Sequence, residues 1–147
     1  HCQCRRQRQM CIRDSSCASS FGQIAAITAL KLPDSIMQPC FDNMRGKRDM
    51  VMKSLKGTPN VKCNLPQGAF YVLPDISSVF GKKSKKTGQL ISDAHEFCLY
   101  FLKHYCVALV SGDAFGAPNT VRISYATSLE ELNKAMTRFG ECLQEFE

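Results

Sequence analysis

The chain has 147 residues, 44% of them hydrophobic and 22% charged, with nine cysteines and no tryptophan; this is the length of one ordinary domain, and no apolar run approaches the roughly 20 residues of a membrane-spanning helix. The formal net charge is +6, half of it carried by Arg5, Arg6, Arg8 and Arg13 against Asp14, with a further lysine cluster at Lys82, Lys83, Lys85 and Lys86. No aromatic residues interleave with these charges, which argues against a nucleic-acid groove, and Cys17, Cys40, Cys63, Cys98, Cys106 and Cys142 are scattered singly, without metal-ligand pairs and in keeping with a reducing compartment.

In chain order, the first segment is anomalous. Arg5 to Asp14, RRQRQMCIRD, resembles the translation of a transposase sequencing adaptor. His1 fits the end of the upstream primer, and Cys2-Gln3-Cys4 fill the space of an index. On that reading residues 1–15 are a non-native adaptor translation, disordered, whose charge is to be set aside, and the polypeptide is truncated at its N-terminus. The alternative reading of the same stretch is a basic zinc or nucleic-acid binder built on His1, Cys2 and Cys4; it lacks the second half of a zinc site.

Residues 21–31 have helical composition and predict a short helix. Pro33-Asp34 opens a longer one, in which Met37, Phe41, Met44, Val51 and Leu55 recur at helical spacing and define an apolar face. Gly57 and Pro59 mark its end. Val61 and Cys63 lead through Pro66-Gln67-Gly68 into an apolar strand over 69–73, closed by Pro74-Asp75. The polar, glycine-bounded stretch 77–89 reads as a mobile loop. Ser92 or Asp93 caps a helix with Ala94, Phe97, Cys98, Phe101, Leu102 and Tyr105 on one face. Val107 to Val110 reads as a buried strand, and Val121 to Tyr125 as another. Ser128 and Glu131 form a capping box for a last helix, with Leu129, Leu132, Met136, Phe139 and Leu143 as its buried stripe. This order is that of a small two-layer α/β unit with helices packed on a short sheet.

Arg122 is the residue that this pattern makes chemically conspicuous. A guanidinium in an apolar strand, straight after the loop SGDAFGAPNT, needs an anion. Two partners are open: a structural ion pair with an acidic residue, or a ligand carboxylate or phosphate held through two parallel hydrogen bonds.

The segments QGAFYVLPDIS, VALVSGDAFG and VRISYATSLEELNKAM carry a family resemblance. Together they resemble the C-terminal part of class I aminotransferases of PLP fold type I, in the aspartate or aspartate/prephenate branch of bacteria and plastids. The resemblance runs from Ser16 to Phe146. It implies that residues 16–32 are a remnant of the large PLP-binding domain. Residues 33–147 are then the connecting helix and the C-terminal small domain, a short sheet packed with helices.

Several roles follow from the resemblance alone. Arg122 matches the arginine that grips the substrate α-carboxylate, and Phe70 an aromatic residue of the substrate pocket, with plain core packing as its alternative. Phe115 and Gly68 are further candidates for lining that pocket, core packing being again the alternative for Phe115. Gly112 and Gly116 serve backbone geometry. Ser16, Ser19 and Ser20 match a loop that reaches the partner subunit's active site. The implied parent is a homodimer that uses pyridoxal 5'-phosphate to move an amino group between an aspartate- or glutamate-like amino acid and a 2-oxo acid, in the cytoplasm or a plastid, with no nucleic-acid or membrane partner. The family's Schiff-base lysine precedes Ser16, and none of Lys31, Lys47, Lys53 or Lys56 sits in a matching context. No catalytic residue and no metal ligand is therefore expected here, the cofactor contacts stay unassigned, and the chain alone is expected to be inactive and poorly soluble. A free-standing carboxylate-binding module and a fragment of a fold type I lyase or synthase are the other readings.

Overall fold

The computed structural model describes residues 19–146. The readings placed on residues 1–15, and those on Ser16 and Cys17, lie outside the described residues. By its internal contacts the chain divides into two units, His1–Pro39 and Cys40–Glu147.

In the first unit, helix α1 spans Ser20–Leu30, close to the predicted 21–31. It buries no residue: Phe21, Ile24, Ile27 and Leu30 are all exposed. Helix α2, Asp34–Lys56, starts in this unit and continues into the second. The apolar face predicted for α2 divides along its length. Val51 and Leu55 are in the core, whereas Met37, Phe41 and Met44 are exposed.

The second unit holds the core. A three-stranded antiparallel sheet has the order β1 (Tyr71–Val72), β5 (Val121–Ser124), β4 (Val110–Ser111). One face packs on α2, on helix α3 (Ala94–Tyr105) and on helix α4 (Leu129–Gln144), through Val72, Val121, Ile123, Phe97, Phe101, Phe139 and their neighbours. The rings of Phe97, Phe101 and Phe139 meet at 5.8–6.1 Å between centroids, two of the three contacts edge-to-face, the arrangement their quadrupoles favour. Asp93 caps α3, accepting from the Glu96 amide at 2.8 Å, while the Glu96 side chain accepts from the Ser92 amide at 2.8 Å. At α4 only half of the expected box forms: Ser128 Oγ accepts from Glu131 N at 3.3 Å, and the Glu131 carboxylate turns to Lys134 instead.

Four expectations are corrected. The strand over 69–73 shrinks to Tyr71–Val72, because Ala69 sits at a φ of 61° in the preceding turn and Pro74 follows. Residues 107–110 do not form a buried strand: pairing covers only Val110–Ser111, and Val110 is 40% exposed. The stretch 77–89, read as a mobile loop, holds regular structure. A short 3-10 helix, Ser77–Val79, leads into an antiparallel hairpin of β2 (Lys82–Lys83) and β3 (Leu90–Ile91), closed through Gly81 and Gly88 at positive φ. In the last helix Leu129 is exposed, while Leu132, Met136, Phe139 and Leu143 are buried as expected.

Candidate functional site

Strand β5 alternates strictly. Val121 and Ile123 point into the core, and Tyr125 just beyond the strand is buried with them. Arg122 and Ser124 therefore share the opposite face of the sheet, because successive side chains of a strand alternate. Although its strand is apolar, Arg122 is only half-buried, on the face away from the core. Its register partner is Val110 on β4, and on the other side Tyr71 pairs with Ser124. Tyr71 thus lies diagonally across from Arg122 on the same face, within reach of a long side chain.

The guanidinium is held by rings. Its central carbon lies 4.5 Å from the Phe115 centroid and 5.3 Å from the Tyr71 centroid, within the range of cation–π attraction. Among the described residues no carboxylate forms an ion pair with Arg122; the pairs present are those of Arg45, Arg48, Lys86 and Lys134. The structural ion pair, one of the two partners open in the sequence, is thus not formed with any described residue.

Phe115 reaches the guanidinium from the short 3-10 helix Gly112–Phe115. That turn closes tightly. Gly112 is buried, and a Cβ on it would fall 2.2 Å from both the Ala117 carbonyl and Thr120 Oγ1. Gly112 N donates to Thr120 O at 2.8 Å and Ala117 N to Gly112 O at 3.0 Å, which fold residues 112–120 back on themselves. Ser111 Oγ meets Asp113 Oδ2 at 2.6 Å at the start of the turn.

Phe70 and Gly68 sit on the neighbouring turn. Phe70 is 52% exposed, so the core-packing alternative does not hold for it, and its ring meets that of Tyr71 edge-on at 5.7 Å. Tyr125 fixes the turn, its N donating to Phe70 O at 2.9 Å and its hydroxyl to Ala69 O at 3.0 Å. Gly68 and Phe70 line an open cavity of about 500 Å³ with Phe41, Arg45, Arg48 and Tyr125. The four sequence candidates therefore fall in two groups: Phe115 on Arg122, and Gly68 with Phe70 along a separate cavity, with the Tyr71 ring touching both Arg122 and Phe70. The sequence reading did not single out Tyr71. Its signal was its place beside Phe70, but its face depends on the β1–β5 register, which the sequence does not print.

A second polar cluster was also missed. The Glu145 carboxylate accepts from Tyr100 at 2.6 Å, from Ser84 at 3.0 Å, from Lys86 at 2.9 Å and, closely, from Tyr105. Burial alone raises its pKa, but these hydrogen bonds outweigh it and hold the carboxyl at about 2. Burial, then Glu145, pushes the Tyr100 and Tyr105 hydroxyls up. Cys142 beside them is raised to about 12 by burial first. These are structural thiols and phenols rather than reactive ones.

A short antiparallel sheet backed by helices thus carries on its open face an arginine that forms no ion pair with any described residue. The sequence model of the class I and II aminotransferases matches residues 2–139, a span that takes in most of the adaptor-like segment. The chain belongs to that family. It is 40% identical over 124 residues to a Rickettsia conorii protein named "Probable aspartate/prephenate aminotransferase", covering 84% of this chain and 31% of the relative. It is 37% identical over 126 residues to an aspartate aminotransferase of Rhizobium meliloti, covering 86% of this chain and 30% of that one. The crystal structure of the aspartate aminotransferase from Rhizobium meliloti superposes on 92% of this chain and 34% of its own, with a TM-score of 0.85 at 34% identity. The chain thus spans about a third of the length of the relatives it matches.

Proposed function

We propose that this chain is the C-terminal third of a pyridoxal-phosphate-dependent aminotransferase, and that Arg122 holds the α-carboxylate of its amino-acid and 2-oxo-acid substrates. The observation that carries the reading is the state of Arg122: a guanidinium on the open face of β5, beside two rings and paired with no described carboxylate. A bidentate arginine–carboxylate contact fixes the substrate's plane as well as its position. Phe115 adjoins Arg122 directly, and the cavity lined by Gly68 and Phe70 is the candidate place for the rest of the substrate. The relatives' names support an aspartate- or glutamate-like donor, and the parent is a homodimer with residues 16–32 belonging to its large domain. The reading places the parent in the cytoplasm or a plastid, on the scattered single cysteines of the sequence.

Pyridoxal phosphate supplies the electron sink that amino-group transfer needs. The described residues do not fit a covalent site for it. No described lysine is buried, and the two whose pKa is displaced, Lys86 and Lys134, are both raised, by hydrogen bonds to Glu145 and Glu130 respectively. An amine that attacks a carbonyl has to be lowered instead. On this reading the lysine that bonds the cofactor lies outside these residues, and the chain's own contribution is to bind and orient the carboxylate.

The test is Arg122→Lys in the complete enzyme. Lysine keeps the charge and loses the fork. We expect kcat/KM to fall by about a hundredfold, as loss of charge-assisted hydrogen bonds implies. An unchanged kcat/KM refutes the role.

A further inference from the structure

Arg122 has a long, rotatable side chain with no hydrogen-bond partner among the described residues; no described carboxylate or carbonyl fixes the direction of its fork. A bidentate carboxylate contact needs both the plane and the direction of the guanidinium to be set. We propose that Tyr71 and Phe115 are positioning residues that set the Arg122 guanidinium for its carboxylate, by ring contact alone. The inference rests on the carboxylate-binding reading of Arg122.

Three observations converge on it. The two rings come from separate elements, Tyr71 from β1 and Phe115 from the turn after β4, and both reach the same guanidinium, at 5.3 and 4.5 Å. Each ring is itself held. Tyr71 is placed by the β1–β5 register and by the edge-on Phe70 ring at 5.7 Å. Phe115 is placed by a turn so close that Gly112 admits no Cβ. Finally, aromatic faces attract a guanidinium without occupying its N–H donors. An acidic partner would consume the fork; rings orient it and leave all its donors for a ligand. The aromatic contacts also explain why Phe115, 47% exposed, is not a core residue.

The experiment has two arms. In the first, the complete enzyme is labelled with ¹⁵N-arginine, and the Arg122 Nε–Hε signal is identified by its loss in Arg122→Lys. Ring contact predicts an upfield-shifted Hε and slowed rotation about Nε–Cζ. Tyr71→Leu and Phe115→Leu should each move both toward free arginine, while Tyr71→Phe keeps them. A signal already at the free-arginine position, or one that neither leucine variant moves, overturns the proposal. In the second arm, steady-state kinetics of the complete enzyme should show KM for the amino acid and the 2-oxo acid raised about tenfold by each leucine variant, the range of a cation–π contact, with Tyr71→Phe restoring it. If Arg122→Lys lowers kcat/KM but the leucine variants leave KM unchanged, the positioning role fails and the carboxylate reading stands. If Arg122→Lys itself changes nothing, the carboxylate reading fails, and the first arm alone decides whether the rings hold the guanidinium.

Discussion

At the scale of single residues, the site depends on small departures from regular backbone. Gly112 is the sharpest case. A methyl group there would lie 2.2 Å from a backbone carbonyl oxygen, which cannot be relieved by rotating a side chain. Gly112→Ala should therefore open the 112–120 turn, destabilise the chain by roughly 1–3 kcal/mol, the usual cost of overpacking, and displace Phe115 from Arg122. Urea unfolding measures the first effect, and the Arg122 Nε signal the second. An Ala variant as stable as the parent contradicts the close approach. Gly46, with open space around its Cα, offers the contrast: Gly46→Ala should stabilise α2 by up to about 1 kcal/mol, through helix propensity alone.

At the scale of elements, Glu145 ties three of them together. Its side chain receives Ser84 and Lys86 from the β2–β3 hairpin and Tyr100 and Tyr105 from α3, and its backbone carbonyl accepts from Lys85 N at 3.0 Å. The folded-state pKa, about 2, lies below the ordinary 4.5, so this stabilisation is fully present above about pH 4.5. It is lost as pH falls through about 2. Glu145→Gln should cost about 2–3 kcal/mol at pH 7, given a side chain only 11% exposed. Denaturant unfolding across pH should show the two proteins converging near pH 2; a constant gap between them would contradict the assignment. The helices were legible in the sequence because their signals are local: caps at Asp93 and Ser128, and apolar spacing over two or more turns. The hairpin over 82–91 was not. Its apolar anchor is Ile91 alone, and its polar anchor, Ser84, finds its partners 16 and 61 residues away. Arg122 was legible as a residue of interest from charge in an apolar run, but its face of the sheet was not, since the strand alternation fixes only parity. Which parity is buried depends on the helices that pack against it.

At the scale of the whole molecule, the described residues leave a large apolar surface in the first unit, where Phe21, Ile24, Ile27, Leu30, Ile36 and Met37 are 46–87% exposed. Contiguous exposure of that kind promotes association. The 147-residue chain should self-associate at micromolar concentration in sedimentation velocity; a monodisperse monomer would contradict this. Incubated with pyridoxal phosphate and then desalted, the chain should retain no cofactor absorbance and transfer no amino group, because no described lysine is buried in a site that would shield that bond from water. The central claim is that Arg122 reads the α-carboxylate. It is tested most directly by comparing, in the complete enzyme, the half-reaction of an amino acid with that of the amine that lacks its α-carboxylate. Arg122→Ala is predicted to lower kcat/KM for the amino acid by at least about a hundredfold and to leave that for the amine nearly unchanged. An equal fall for both substrates would show that Arg122 supports the fold or the pocket and does not hold the carboxylate.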